Sequence, residues 1–507
     1  MNTSSKGRGE FPGIYMRTAV TPQSCPRPLY KAFFLIVLLA LAVSCSTTGK
    51  GTSTGDSPSS GGEPAYTAVP IASEIQESEP NGTLEIMTRI SQLMAQRKYS
   101  EAIAMFDRLD SLDAESTEIQ LIKASVYNAS GESGKARSIA EKITSAEPNN
   151  VEALLVLAAC AAVEGKDRDQ RTILERVLKA DPKNTKALSD LGFISLRAQS
   201  LRTAGNYFDQ ALASDSDYGD ALVGRAITYR YSREPKKAED LLNKAIKLYP
   251  QWASPYNERA RLYKGAGFNR EALNDLNKAK ALEPDNYWIA VDRGITLVEL
   301  DRREEALEDF TRAIDLDPDN FFAYVYSAGI KDDAGDLTGA ERDYKMMIKL
   351  KPEYYFAFEG LGMVKMRTGD WAEARDAFLE AYKYAPKEYG YVMLATINWM
   401  RAGKINDPKQ FLAQVIRTVQ RDSMEWYILR LFHDLAGDID TAMRIDKESD
   451  FDTKARMLFY LANYYDIRGN SNLANKYFLQ VKELDRRGTP EWRLNEWFVE
   501  QRGLNAF

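Results

Sequence analysis

Proline returns in this sequence every 34 residues, at Pro250, Pro284, Pro318, Pro352 and Pro386, and Pro148 and Pro182 continue the series upstream with one gap, at Ser216. Over residues 251–388 four blocks follow one another with no insertion or deletion. With each proline taken as position 32, position 8 is small: Ala226, Ala260, Gly294, Ala328, Gly362. Position 20 is alanine (Ala238, Ala272, Ala306, Ala340, Ala374), and position 24 is large and apolar (Leu242, Leu276, Phe310, Tyr344, Phe378). Small residues at 8 and 20 let two helices approach closely, while the bulky side chain at 24 fills the space beside that contact. Each block therefore reads as a helix pair. Gly335-Asp336 and Gly369-Asp370 fall between the two helices, glycine to end the first in a left-handed conformation and aspartate to cap the second. The proline stops the second helix, and Asn286 or Asn320 caps the next.

The unit length and its anchor residues resemble the tetratricopeptide repeat family. The resemblance implies an all-α fold, a right-handed superhelical solenoid of about 11–12 helix pairs whose first helices line the concave face. The regular array spans 83–388. Repeat 151–184 departs from the pattern with Gln170 where alanine belongs, and residues 389–488 form degenerate units, with Pro408 at position 20 of the first. The segment 489–507 supplies a capping helix over the last apolar face.

Residues 1–44 have the form of an export signal, basic up to Lys31 and then apolar over 32–43, too short a run for a membrane span. The end of that run, Leu41-Ala42-Val43-Ser44-Cys45, resembles a bacterial lipoprotein processing site, although Ala42 and Ser44 differ from the family's usual residues. The resemblance implies lipidation of Cys45; an ordinary secretory signal with an incidental cysteine is the competing reading. Residues 45–82 are rich in Ser, Thr, Gly and Pro and read as a flexible tether with a reach of roughly 30–35 Å. Anchor, tether and array together predict a protein in the bacterial cell envelope, lipid-anchored and facing the periplasm, the outer membrane favoured over the inner.

Charge narrows the partners. The chain carries −6 overall, and residues 1–44 alone carry +4, which leaves −10 for the remainder. Nucleic-acid binding needs clustered positive charge, so it is not expected. Chemistry is also scarce. With His433 as the one histidine, no histidine-based dyad or His-rich metal site can be assembled. Cys160 reads as a small packing residue. No phosphate loop or dinucleotide fingerprint occurs, so neither a cofactor nor a metal is expected, and the chain is read as no enzyme.

In the family that the array resembles, positions 2, 5, 9, 12 and 13 of the first helix point into the groove. Here they give a basic strip, Arg197, Arg230, Tyr231, Arg261 and Lys264, followed by an aromatic strip, Trp288, Phe322 and Phe356, joined by Met363, Met366, Met393 and Met400. Such a surface suits an extended peptide with acidic and apolar side chains. A solvated basic face, and aromatics that only pack between repeats, are the plainer readings. The expected function is a membrane-anchored scaffold or adaptor for protein partners, loosely similar to outer-membrane repeat lipoproteins that dock other envelope proteins. The alternative is a small hydrophobic-ligand or transporter-associated lipoprotein, with the strip from Trp288 to Met400 lining a channel. Oligomeric state is left open.

Overall fold

The structure, a computed structural model, describes residues 82–504. The expected signal segment, Cys45 and the tether lie outside the described residues. Every regular element among the described residues is helical, and no described helix is long and apolar enough to cross a membrane. The chain divides into two compact units, one ending at Leu282 and the other beginning at Glu283.

The first unit is a stack of helix pairs, of which Thr185–Arg197 with Leu201–Ser214, Gly219–Tyr231 with Pro235–Leu248 and Ala253–Gly265 with Asn269–Leu282 are the most regular. The position-20 alanines Ala204, Ala238 and Ala272 are fully buried, as close helix approach requires. Phe208 at position 24 shows how successive pairs interlock. A Cβ on Gly192 would lie 2.6 Å from its ring and one on Gly224 would lie 2.3 Å away, so the ring sits between two helices that can host it only as glycine. Position 15 turns the chain between paired helices with positive φ, at Gly131, Gly165 and Gly267 and also at Gln199 and Arg233. First helices pack directly on one another, Thr185–Arg197 on Gly219–Tyr231 and that helix on Ala253–Gly265. No second helix among the described residues of this unit packs as closely on the next second helix. The first helices therefore form the inner face of the stack.

The second unit continues with Tyr287–Glu299 and Arg303–Leu316, Phe321–Asp333 and Leu337–Leu350, and Tyr355–Arg367 and Trp371–Tyr384. The side chains of Asn286 and Asn320 accept from the backbone N–H of Trp288 and Phe322, at 3.0 and 3.1 Å, and so start their helices. Asp336 and Asp370 accept from Gly339 and Glu373 at 2.9 and 3.3 Å, and Gly335 and Gly369 are left-handed before them. Beyond Tyr389–Arg401 the repeats shorten: Pro408 stands at the N-cap of the eight-residue helix Lys409–Ile416, because a proline can begin a helix but not occupy its interior. Met424–Asp434, Asp438–Lys447, Phe451–Ile467 and Ser471–Leu484 follow.

The last helix, Pro490–Gln501, starts with proline in its first turn and with the Thr489 hydroxyl accepting from the Trp492 N–H at 3.2 Å. It packs on Ser471–Leu484 and Phe451–Ile467, as a cap does, with Phe498 stacked on Phe478 at 5.1 Å. It also packs on Tyr355–Arg367, a first helix three repeats earlier.

Candidate functional site

On the inner face of the first unit, one turn of Gly219–Tyr231 and one of Ala253–Gly265 bring Arg230, Glu258 and Arg261 together. Arg230 Nη2 lies 3.3 Å from Glu258 Oε2, and Arg261 Nη1 lies 2.5 Å from Glu258 Oε1. Glu258 is buried between the two guanidinium groups, and Arg230 also stacks over the exposed ring of Tyr231 at 4.5 Å. Lys264 is half-buried on the same helix. Glu258 thus sits among the basic side chains, and the face is not a bare basic strip. Asn257, one residue before Glu258, is 8 % exposed, and its side-chain oxygen makes no hydrogen bond among the described residues. Lys186 and Asp190 pair one repeat earlier at 3.2 Å, and the aspartate's charge, together with that of Asp220, holds the ammonium above its ordinary pKa against the effect of burial.

Arg197 is set apart from this group. Its guanidinium reaches back to Asp167 at 2.7 Å and to Gln170 at 3.3 Å, in the second helix of the preceding repeat. That contact accounts for Gln170: a buried polar side chain at an alanine position needs a partner, and Arg197 supplies one. Cys160 is fully buried, and burial raises its thiol pKa.

In the second unit the position-2 aromatics are graded. Trp288 and Phe322 are half-buried, each edge-on to its neighbour Tyr287 or Phe321, and Lys351 places its ammonium 5.4 Å from Phe322. Phe356 is 44 % exposed and stacked on Tyr355 at 4.3 Å. The methionines correct the sequence reading. Met363 and Met366, at 3 and 0 % exposure, lie with Met393 and Met400 inside one core cluster that also holds Leu494, Phe498 and Val499 of the last helix. The chain's own C-terminal helix belongs to the core that encloses them.

Sequence reasoning missed the polar frame that fixes that helix. Arg493 Nη2 lies 2.7 Å from Asp332 Oδ2, and the same buried aspartate is bound by Arg367 and receives the Tyr344 hydroxyl at 3.3 Å. Glu491, also buried, accepts from the Tyr460 hydroxyl and sits 3.3 Å from Arg456 Nε. Beneath them Glu359 accepts the Tyr391 hydroxyl at 2.6 Å. Burial pushes the Glu359 carboxyl up to about 7; the Tyr391 hydrogen bond opposes this, Glu491 adds to it and Arg493 opposes it. The available signal was the pair Glu491 and Arg493, two residues apart. Such residues do not face each other on a helix, so each needs a partner elsewhere. Among the described residues no group of three or more His, Cys, Asp or Glu is placed to hold a metal.

Family models of the tetratricopeptide repeat match residues 93–160, 220–251, 291–355 and 330–390. Solved structures resemble parts of the chain. PilF of Pseudomonas aeruginosa is 18% identical over 41% of this chain and 95% of its own, with a TM-score of 0.38. PilW, described as a widely conserved type IV pilus biogenesis factor, is 19% identical over 43% of this chain and 99% of its own, with a TM-score of 0.36. A thermophilic repeat protein of Thermus thermophilus is 22% identical over 36% of this chain and 98% of its own, with a TM-score of 0.33. No curated relative matches the chain. The 34-residue period, the helix pairs that it encodes and the family models agree: residues 93–160, 220–251 and 291–390 of this chain carry tetratricopeptide repeats.

Proposed function

We propose that this protein is a non-enzymatic adaptor that holds protein partners on the inner face of its first unit, tethered through Cys45 to a membrane of the bacterial envelope on the periplasmic side. The observation that carries the reading is the group Arg230, Glu258, Arg261 and Lys264 beside the buried, unsatisfied side-chain oxygen of Asn257. An extended acidic segment would supply carboxylates that compete with Glu258 for the guanidinium groups and a backbone N–H for the amide oxygen. A small hydrophobic ligand in the second unit is less well supported, because burial of Met363, Met366, Met393 and Met400 removes the lining that such a channel needs.

The test is a photocrosslinking residue at position 231 of the full chain in cells. We expect defined protein adducts that disappear with Arg230→Glu plus Arg261→Glu, and none from the same residue placed at exposed Asp240 on a second helix. Adducts that survive the charge reversal would reject the groove reading. Cys45→Ala separates the anchor from the groove: it should move the protein out of the membrane fraction and leave the adducts in place.

A further inference from the structure

We propose that the first helices of the second unit form a helix-binding surface, and that Pro490–Gln501 is its resident occupant, displaceable by an amphipathic helix of a partner protein. The adaptor reading does not use this face. A terminal cap needs to cover only the last repeat. This helix goes further and touches three successive first helices. Arg493 reaches Asp332 and Asp333, at 2.7 and 3.4 Å, at the end of Phe321–Asp333, and the helix packs on Tyr355–Arg367. It meets both ends of Tyr389–Arg401: a Cβ on Gly390 would lie 3.1 Å from Glu491 Oε1, and Arg401 stands 4.7 Å over the Phe498 ring. A bound amphipathic helix fills a groove in this way, lying across the row with its apolar stripe, here Leu494, Phe498 and Val499, in the core.

The polar contacts of the helix are arranged for departure. Asp332 and Asp466 each bind an arginine from it, Arg493 and Arg502, in addition to one supplied by the face itself, Arg367 and Arg401. When the helix leaves, both aspartates stay paired. Taking the sole partner from a buried charge is what makes such contacts costly to break, and neither contact is sole. The Tyr460 hydroxyl, which donates to Glu491, also has the Gly390 carbonyl at 3.5 Å, and Arg456 is partly exposed to water. The helix is itself imperfectly matched where it lies. Asn495 is fully buried with its side-chain oxygen making no hydrogen bond among the described residues, and the same holds for the buried Trp492 Nε1. Both gain hydrogen bonds from water on release, which offsets part of the apolar burial that holds the helix down. The connection adds strain, since Asp485 is left-handed at φ 46°, a conformation unfavourable for a residue with a Cβ. What the incoming helix replaces defines its chemistry: an apolar i, i+4, i+5 stripe between two arginines nine residues apart, as at 493 and 502.

The probe is a fluorescent peptide of residues 489–504, offered to the full chain. The wild type should bind it weakly, because the face is already filled and apparent affinity falls with the fraction of open molecules. Arg493→Ala plus Arg502→Ala in the chain weakens the resident helix and leaves the face intact, and should raise peptide affinity roughly tenfold or more. A peptide carrying the same two alanines should lose that gain. Hydrogen exchange separates release from unfolding: amides of Pro490–Gln501 should exchange faster in the variant while those of Tyr355–Arg367 keep their protection. Equal affinity for wild type and variant, or binding to neither, would overturn the proposal, as would a loss of protection shared by Tyr355–Arg367. Wild-type dimers that the peptide dissociates would assign the face to a second copy of the chain and overturn it too.

Discussion

Gly224→Ala tests whether the fixed phase of the repeats depends on bulky side chains seated against glycine. Considered as a helix residue alone, alanine should gain about 1 kcal/mol over glycine. The structure predicts the opposite sign. The new Cβ would stand 2.3 Å from two ring carbons of Phe208, so more than about 1 Å of movement is needed to reach ordinary contact. The ring cannot simply retreat. It is fully buried, lies within 2.6 Å of where a Cβ on Gly192 would be, and meets Phe193 edge-on at 5.1 Å. Overpacking of a tight core costs about 1–3 kcal/mol, which outweighs the helix term at most of that range. The net loss, up to about 2 kcal/mol after the helix term is subtracted, lowers the melting temperature of a unit this size by up to roughly 8 °C. Gly265→Ala is the matched control, because its Cβ would meet nothing within 4 Å and its backbone is helical; it should raise the melting temperature by roughly 1–3 °C. Adding Phe208→Leu should recover part of the loss in Gly224→Ala and cost stability by itself. Calorimetry of the full chain measures all four proteins. If Gly224→Ala melted as high as Gly265→Ala, the interlocking account would be wrong.

Two further outcomes follow from the ion pairs. Glu258→Gln removes the charge that Arg230 and Arg261 share; it should cost about 1–2 kcal/mol in urea unfolding while raising adduct yield at position 231. Lys365, 8 % exposed, holds Glu341 at 2.8 Å, Glu373 at 2.9 Å and Asp370 at 3.7 Å. Burial alone would lower its pKa, but the two glutamates raise it. The Glu341 pKa is in turn lowered, by Lys345 and then Lys365, so its contribution to stability is present above its ordinary 4.5 and is lost as pH falls through the depressed value. Lys365→Met should cost about 1–2 kcal/mol at neutral pH, discounted because the carboxylates are partly exposed, and should flatten the loss of stability below pH 4.5. An acid profile identical to wild type would show that Lys365 does not set the Glu341 titration.

The helix pairs were legible because their determinants are local and repeat: glycine and aspartate between helices, asparagine before them, alanine where they touch. Even so, Gln199, Arg233 and Asp301 take the left-handed position that glycine fills elsewhere, so the turn persists where its sequence mark is gone. The inner-face frame found Arg230, Arg261 and Lys264, but it could not say that Glu258 lies between the first two, because position 6 is not counted as an inward position. It also placed Arg197 in the groove, whereas Asp167, with Gln170 beside it, binds its guanidinium to the preceding repeat. Least legible was the docking of the last helix. Arg493 meets Asp332 across 161 residues, and nothing in a 34-residue period encodes a contact of that span.

The two inner faces share one position arithmetic and meet opposite fates, and the difference can be traced to positions 5, 9 and 12. In the first unit these include Asn257, Arg230, Arg261 and Lys264, polar and charged side chains that can face water, so the face needs no apolar cover. In the second they include Met363, Met366, Met393 and Met400, and four methionines on a wetted wall would form an apolar patch of the kind that soluble proteins seldom leave bare. The chain resolves this by returning Pro490–Gln501 against Tyr355–Arg367 and burying Leu494, Phe498 and Val499 in the same cluster as the methionines. The charged residues on that helix then have to be neutralised in place, which is why Asp332, Arg456 and Tyr460 are gathered around them. The second face is thus closed by the chain's own last helix, while the first face, closed by nothing comparable among the described residues, is where the adaptor reading must stand or fail.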